Sequence, residues 1–223
     1  NAADFGDLLA GLRYTSACSN GTRGIFGGGW QDPNNWINVI QYITIESTGN
    51  SADFGDLTVG RNSLASCSSP TRGIFYGGSV EGDTSNVIDY VTIASTGNAT
   101  DFGDSGPDHT SNTLTACSSS TRGVFAGGYS KEQAELCNII EYITISTTGN
   151  ASDFGDLSYL RQALSGTSNN IIGIFAGGSY GAVRVNFIEY VTIATTGDVS
   201  DFGDLSSPTY HLTACSDCHG GLQ

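Results

Sequence analysis

Residues 73–104 read GIFYGGSVEGDTSNVIDYVTIASTGNATDFGD, and the rest of the 223-residue chain repeats this pattern. The stretch opens with an apolar run that closes on two glycines, which is typical of a buried strand followed by a tight turn. The run VIDYVTI alternates and is rich in β-branched and aromatic residues, which predicts a further strand. The closing DFGD predicts a short last strand after a Thr-Gly turn. The stretch therefore indicates antiparallel sheet joined by tight turns.

The tetrapeptide Asp-Phe-Gly-Asp marks the period of the repeat. It occurs five times, at intervals of 49, 48, 52 and 48 residues, and a Gly-(Ile/Val)-Phe-x-Gly-Gly element occurs four times. Self-similarity at such a period predicts units that pack on their neighbours. The tetrapeptides begin at Asp4, Asp53, Asp101, Asp153 and Asp201.

Each unit divides into four short strands, and the whole chain is therefore predicted to be one all-β repeat domain over 1–223. The first strand of a unit ends near a Cys or Thr, the second closes on Gly-Gly, the third alternates, and the fourth carries Asp-Phe-Gly-Asp. We place the four complete units at about 9–57, 58–105, 106–157 and 158–205, with end strands in 1–8 and 206–223.

Composition and charge limit the classes of function. Charged residues make up 13% of the chain, against roughly 25% in an average domain. A net charge of −14 with eight basic residues excludes the phosphate-neutralising surface that nucleic acids need and a basic membrane-binding face. No apolar run reaches the roughly 18 residues of a membrane span. We therefore expect no nucleic acid and no membrane insertion, and the acidity favours a neutral or cationic partner or calcium.

The double glycine followed by a tyrosine and an arginine resembles the kelch repeat. A Phe stands in each unit where that family has a Trp, so the repeats are similar to a divergent, kelch-like group. TGNATDFGD at 96–104 also resembles repeats of virion and tail-associated proteins of aquatic bacteriophages. The resemblance implies a β-propeller and covers essentially the whole chain. The residues that carry it are Gly27, Gly28, Gly77, Gly78, Gly127, Gly128, Gly177, Gly178, Tyr42, Tyr90, Tyr142, Tyr190, Arg13, Arg61 and Arg161.

Both ends of the sequence carry strands outside the four units. A fourth strand at 4–8 has no preceding strands, and a first strand at 210–216 has no complete successor. The ends could pair within the chain as a partial fifth blade, the chain could be a piece of a longer array, or the ends could pair between chains. We favour a homo-oligomer or filament slightly, because an open sheet edge templates such pairing.

The repeated Asp pairs are the first candidate for chemistry. Two carboxylates flank each Phe-Gly turn, and with Asn50, Asn98 or Asn150 they could supply oxygen ligands for Ca²⁺. The alternative, which we favour, is that the Asp side chains cap their own turns. The residues are Asp4, Asp7, Asp53, Asp56, Asp101, Asp104, Asp153, Asp156, Asp201 and Asp204.

The cysteines give a second candidate. Cys18, Cys67, Cys117 and Cys215 share one repeat position, and neighbours there are a blade apart, too far for a disulfide. We interpret them as small buried residues of tight inner strands. A bond between Cys137 and Cys218 stays open. Cys215, Cys218 and His219 also match the Cys-x-x-Cys-His string for attachment of c-type haem, an alternative we rank low because Cys215 already fits the repeat.

Enzymatic function is not expected. Three histidines leave little general-base capacity, and neither a nucleophile elbow nor a zinc-protease motif occurs. No resident cofactor is expected. Function is more often carried by loops on a rigid scaffold, here the segments 29–38, 79–86, 129–138 and 179–186. Their candidate ligand-binding residues are Trp30, Trp36, Tyr129, Tyr180 and Arg184.

The sequence therefore predicts a non-catalytic structural or binding module. We expect an extracellular or virion-associated adhesion protein whose aromatic loops recognise a glycan or a protein. Two alternatives remain: a filament subunit joined head to tail through its end strands, and a c-type haem protein.

Overall fold

The computed structural model describes residues 2–33, 35–106, 109, 111–130 and 134–216. Within these ranges the chain folds into strands and turns and contains no helix, which confirms the all-β prediction. Accordingly, no helix of the described ranges is long and apolar enough to cross a bilayer.

Each repeat contains four principal strands and a small hairpin between the second and third of them. The first repeat contains β1 (Ser16–Ser19), β2 (Arg23–Gly27), β3 (Trp30–Gln31), β4 (Asn35–Trp36), β5 (Val39–Thr44) and β6 (Ala52–Asp56). The second contains β7 (Ala65–Ser68), β8 (Arg72–Tyr76), β9 (Ser79–Val80), β10 (Asp83–Thr84), β11 (Val87–Thr92) and β12 (Thr100–Asp104). The third contains β13 (Thr115–Ser118), β14 (Arg122–Ala126), β15 (Tyr129–Ser130), β16 (Glu135–Leu136), β17 (Ile139–Thr144) and β18 (Ser152–Asp156). The fourth contains β19 (Ser165–Ser168), β20 (Ile172–Ala176), β21 (Ser179–Tyr180), β22 (Val183–Arg184), β23 (Phe187–Thr192) and β24 (Ser200–Asp204).

The principal strands of each repeat form one antiparallel sheet, in the order β1-β2-β5-β6 and its copies. The first strands β1, β7, β13 and β19 contact one another in succession and therefore line the axis of the molecule. Sheets arranged radially about an axis are the blades of a β-propeller. The prediction of four complete repeats in a propeller is confirmed, and we number the blades 1 to 4 in chain order.

The Asp-Phe-Gly-Asp motif forms a β-bulge in the fourth strand. In blade 1 the register between β5 and β6 shifts beside Gln41, so that Phe54 is the extra residue. A bulge re-aims a side chain, and Phe54 turns inward, where it is 2% exposed and lies edge-on to Tyr42. Gly55 follows at φ +144°, and a Cβ there would collide with the carbonyl oxygen of Gly97 in blade 2. The motif therefore shapes the contact between neighbouring blades.

The blades pack through an aromatic ring of one second strand and the last residue of the second strand before it. Phe75 of blade 2 is fully buried against Gly27 of blade 1, where a Cβ would lie 2.5 Å from the ring. In blade 3 the corresponding Phe125 stacks on Tyr76 with 4.1 Å between ring centroids. Burial of whole aromatic side chains contributes the larger part of such a core.

Hydroxyl groups connect the first strands, which form no backbone ladder with each other. Ser68 donates from Oγ to the carbonyl of Ser19 at 2.6 Å, Ser118 to that of Ser68 at 2.9 Å, and Ser168 to that of Ser118 at 2.7 Å. At the axis, therefore, side chains join one blade to the next.

The loops that lead into each blade are also linked in series. Ser63, Thr113, Ala163 and His211 each donate a backbone N–H to the equivalent residue one repeat earlier, at 2.9–3.1 Å, starting from the carbonyl of Tyr14. All five adopt φ between 54° and 60°, a left-handed conformation that is uncommon for side chains other than Gly. We call these loops the connectors. This second series of hydrogen bonds holds them at a fixed spacing around the axis.

Neither end segment belongs to a sheet. Residues 4–8 and 210–216 were predicted as strands, but each lacks a neighbouring strand of its own blade and forms no β-ladder in the described structure. The two segments also form no ladder with each other. Each lies instead against the adjacent blade. The Gly49 N–H donates to the carbonyl oxygen of Phe5 at 2.7 Å, and the Gly178 N–H donates to that of Thr209 at 2.9 Å.

One predicted equivalence is wrong. Arg13, Arg61 and Arg161 were expected at one repeat position, but Arg13 forms an isolated bridge to its hairpin. Asn62 and Gln162 make the same bridge in blades 2 and 4, one residue beyond Arg61 and Arg161. Arg13 therefore corresponds to Asn62, and its guanidinium is exposed beside Asp32 instead of buried.

We predict that Phe75→Ala lowers the free energy of unfolding by about 3–5 kcal/mol, because it empties the fully buried contact between blades 1 and 2. The matched control is Phe26→Ala, the equivalent ring of blade 1, which is only partly buried and should cost clearly less. Urea denaturation of both variants measures the difference. Equal losses would contradict the proposed role of the interblade contact.

Candidate functional site

One position in the third strand of every blade carries a buried polar side chain. It is the third-strand residue that directly follows the register shift caused by the bulge in the fourth strand. The four residues are Gln41, Asp89, Glu141 and Glu189. A buried carboxylate is costly unless it is paired and hydrogen-bonded. The sequence analysis did not single out this position, although an acidic residue inside an apolar strand in three repeats was a visible signal.

In blades 2 and 4 the partner is a buried arginine of the leading connector. Arg61 Nη1 lies 3.0 Å from Asp89 Oδ2 with both side chains fully buried, and Arg61 also donates to the carbonyl of Phe75 at 3.1 Å. Arg161 Nη2 donates to Glu189 Oε2 at 2.6 Å. Burial lowers the pKa of Arg61 and of Arg161 from the usual value, and the paired carboxylate opposes this shift. Arginine nonetheless stays charged in proteins, so each pair is ionic.

In blade 3 the carboxylate has a neutral donor from the previous blade. Tyr76 donates its hydroxyl to Glu141 Oε2, and His109 Nδ1 lies 3.3 Å from the same oxygen. His109 Nε2 lies 2.9 Å from the carbonyl oxygen of Gly127. Burial, followed by the Glu141 charge, raises the pKa of Tyr76 well above its usual value. Tyr76 therefore stays protonated and acts as a hydrogen-bond donor.

Blade 1 carries the neutral version of the same arrangement. Gln41 replaces the acid, and it accepts from the Leu9 N–H at 2.9 Å and the Ser51 hydroxyl at 2.6 Å. Leu12 stands where the buried arginine would be, immediately before Arg13. In each blade the polar group at this position therefore has a hydrogen-bond donor from a connector or from a neighbouring blade, which indicates that it joins the sheet to its surroundings. Because these groups are buried, they do not form an open catalytic centre.

The inner-strand cysteines occupy the positions predicted for them. Cys18, Cys67 and Cys117 are free, buried thiols, and Cys67 packs over Gly123 of the next blade, where a Cβ would lie 2.7 Å from Sγ. Desolvation raises the pKa of Cys18 and of Cys117 to about 12 and that of Cys67 well above its usual value. Burial thus keeps these thiols protonated and unreactive.

The Asp pairs lie at the outer edge of the blades and are engaged in turns. Asp101 Oδ1 accepts the N–H of Gly103 at 3.0 Å, and Asp4 and Asp201 accept equivalent bonds. The second Asp of the motif donates its N–H to the next repeat, as Asp104 does to Asn150 Oδ1 at 3.1 Å. No cluster of three or more Cys, His, Asp or Glu able to hold a metal occurs in the described ranges. Calcium binding stays a prediction.

The predicted loop residues do not converge on one site. Trp30 and Trp36 pack edge to face in the blade 1 hairpin, with 4.6 Å between centroids, and both are partly buried. They therefore support their own loop. Tyr129 lies on blade 3 and is partly buried. Arg184 lies on blade 4 over the ring of Tyr210, at 4.8 Å.

Tyr180 is the exception, because it pairs with a residue that the sequence analysis missed. Its ring meets that of Tyr159 edge to face at 5.7 Å, and the two side chains are 46% and 53% exposed. They line a shallow groove of about 250 Å³, together with Asn138, Ser158 and Leu160. Aligning the connectors would have found Tyr159, since it is an aromatic residue where the second repeat has Val59.

The groove has a rigid base. The ring of Tyr159 also contacts Phe187, at 6.3 Å between centroids. Phe187 in turn lies over the guanidinium of Arg161 at 6.0 Å, and Arg161 is fixed by its bond to Glu189. The buried ion pair of blade 4 thus supports an exposed aromatic pair, a combination that no other blade repeats among the described residues.

The remaining cysteine hypotheses fall partly outside the described residues. Cys215 is exposed and free, and Cys137 is a free, buried thiol. Cys218 and His219 lie outside the described residues, so haem attachment stays a prediction. Comparison with known proteins adds no family: no protein-family model and no curated protein matches this chain.

We predict that Arg61→Leu lowers the free energy of unfolding by about 3–5 kcal/mol, because it leaves the Asp89 carboxylate buried without a cation. The double variant Arg61→Leu/Asp89→Gln copies the Leu12 and Gln41 pair of blade 1 and should recover most of the loss. Urea denaturation of both variants tests this. A double variant no more stable than the single one would contradict the pairing of Arg61 with Asp89.

We also predict that iodoacetamide at about pH 8 alkylates Cys215 in the native protein while the four buried thiols stay unmodified. A thiol with a pKa of about 12 holds only about one part in ten thousand as the reactive thiolate at that pH, and burial further blocks the reagent. Mass mapping of the alkylated peptides gives the result, and denatured protein is the control in which every thiol reacts. Rapid native labelling of Cys67 would overturn the prediction.

Proposed function

We propose that the chain is a non-catalytic binding module whose blade 4 groove binds a neutral glycan. The observation that carries the proposal is the exposed pair Tyr159 and Tyr180. Other aromatic pairs of the fold, such as Tyr42 with Phe54, recur in every blade and serve packing. The Tyr159 and Tyr180 pair breaks the repeat and faces solvent, as expected of a recognition surface.

The chemistry of the groove suits a sugar. A pyranose has apolar C–H faces and a rim of hydroxyls, whereas a tyrosine offers an apolar face with a polar tip. The two rings stand at 88° to each other, so one can lie under the sugar while the other closes its side. Asn138 and Ser158 supply polar groups beside them. The volume is below the roughly 300–1,000 Å³ of sites for drug-sized ligands, which suits one or two rings of a longer chain.

The charge of the protein selects among glycans. With a net charge of −14 and eight basic residues, the protein repels sialylated or sulfated chains at long range. Arg184 is bound to the Tyr210 ring and is not part of the groove lining. The proposal is therefore restricted to neutral sugars.

We place this binding role outside the cell or on a virion. The resemblance of the repeats to the kelch group and to bacteriophage virion proteins supports an extracellular or virion-associated adhesion role. A rigid propeller that displays one groove suits adhesion, because many copies on one particle convert weak single contacts into strong attachment.

The head-to-tail filament stays a prediction. Residues 4–8 lie against blade 1 and residues 205–211 against blade 4, each through backbone hydrogen bonds. In a filament joined through the end strands, these segments would pair with those of the next copy.

We predict that an array of neutral and acidic oligosaccharides shows binding to neutral members only. Tyr159→Ala should weaken that binding about tenfold or more, which corresponds to the loss of about 1.4 kcal/mol. Tyr14→Ala is the matched control, because Tyr14 is an exposed tyrosine of blade 1 whose ring meets no other aromatic ring among the described residues. Binding that Tyr14→Ala and Tyr159→Ala reduce equally, or binding to acidic chains alone, would refute the proposed site.

A further inference from the structure

The buried acid of blade 4 is connected to the surface through one hydroxyl group. Glu189 accepts two side-chain bonds, from Arg161 Nη2 on Oε2 at 2.6 Å and from the Ser158 hydroxyl on Oε1. Glu189 is buried, whereas Ser158 is exposed and lines the groove next to Tyr159. Ser158 therefore links the buried ion pair to the groove.

The ion pair fixes the direction of the Ser158 hydroxyl. A serine hydroxyl has one proton and two lone pairs, whereas an ionised carboxylate can only accept. Because Glu189 is paired with the Arg161 guanidinium, the proton in the bond between Glu189 and Ser158 comes from the serine. That proton is used inside the protein, so Ser158 offers only its lone pairs to the groove. The charge-assisted bond polarises the hydroxyl, and its oxygen becomes a better acceptor.

The other polar side chains of the groove are not restricted in this way. The hydroxyls of Tyr159 and Tyr180 and the amide of Asn138 carry both donors and acceptors. These groups can adapt to a hydroxyl or to an ether oxygen of a ligand. Ser158 instead requires a donor.

Blade 2 contains the same bond without the aromatic groove. Thr58 occupies the Ser158 position, and its hydroxyl donates to Oδ1 of the buried Asp89 at 2.7 Å. Two valines stand where blade 4 has its tyrosines, namely Val59 and Val80. The bond from hydroxyl to buried acid is thus a scaffold feature, and only blade 4 combines it with two exposed tyrosines among the described residues.

We infer that Ser158 determines the specificity of the groove by accepting a hydrogen bond from a free hydroxyl of the glycan, an inference that rests on the glycan site proposed above. The ligand class is a neutral glycan that is unsubstituted at this position. A sugar that is deoxygenated, O-methylated or O-acetylated there has no proton to donate. The Ser158 oxygen then loses its ligand bond, and a substituted oxygen places a second acceptor opposite it.

The test is a double-mutant cycle between Ser158 and the hydroxyls of the ligand. The probes are neutral trisaccharides of glucose, mannose, galactose and N-acetylglucosamine, and the monodeoxyfluoro derivatives of the one that binds best. Fluorine is close to a hydroxyl in size but has no proton to donate. The unmodified chain should bind one derivative about tenfold more weakly than its parent, the loss of about 1.4 kcal/mol. Ser158→Ala should bind this derivative and the parent equally in titration calorimetry.

Two variants separate recognition from the scaffold role of the hydroxyl. Thr58→Ala removes the equivalent bond to a buried acid in blade 2 and should leave glycan binding unchanged. Ser158→Thr keeps a hydroxyl of the kind that blade 2 uses, and it should retain the preference for the parent trisaccharide. If Ser158→Ala shows the same penalty for every derivative as the unmodified chain, while Tyr159→Ala still weakens binding, this inference is wrong and the proposed site stands. Absence of binding by every neutral trisaccharide would refute the proposed site itself.

Discussion

The structure depends on the contact in which a ring or thiol of one blade enters the space left by a small residue of its neighbour. Phe75 against Gly27 and Cys18 over Gly73 are two forms of this contact. Neither sheet can bury its apolar face alone, because a single four-stranded sheet exposes both faces to water. Stability therefore arises between blades, as in other repeat proteins. Glycine is required where a thiol or the backbone of the neighbouring blade comes too close for a Cβ, as at Gly73 under Cys18 and at Gly55 beside Gly97. For this reason these glycines recur with the period of the fold.

Much of the fold could be predicted from the sequence, because period-two alternation and turn glycines are local signals. The four units, their strand order and the buried cysteines followed from the repeat alone. The register of Arg13 could not be predicted, because neighbouring residues in a connector point to opposite sides and only the bridge to the hairpin distinguishes them. The buried acid at the bulge was missed for a related reason. A polar residue in an alternating strand is normally exposed, but here both faces of the strand are covered, since Ile40 and Gln41 are both buried.

The candidate site was only half predictable. Tyr180 was found because it lies in a variable loop, whereas its partner Tyr159 comes from a connector that was read as part of the scaffold. The two residues meet because the small hairpin folds back on the connector, a non-local contact that strand patterns do not encode. The ion pair of Arg161 and Glu189 beneath them has a counterpart in blade 2, so a scaffold contact found in two blades supports a surface found in one.

The serine bonds between first strands have a mechanical consequence. Within a blade, neighbouring strands are held at the fixed backbone spacing of about 4.8 Å. Between blades, only side-chain hydroxyls such as that of Ser118 connect the inner strands, and a side chain can rotate without breaking a ladder. A force that widens the central opening is therefore taken up first at the seams, while every sheet stays intact. The compliant part of the molecule is its inner rim, because the connectors and the outer strands of successive blades are joined by backbone hydrogen bonds.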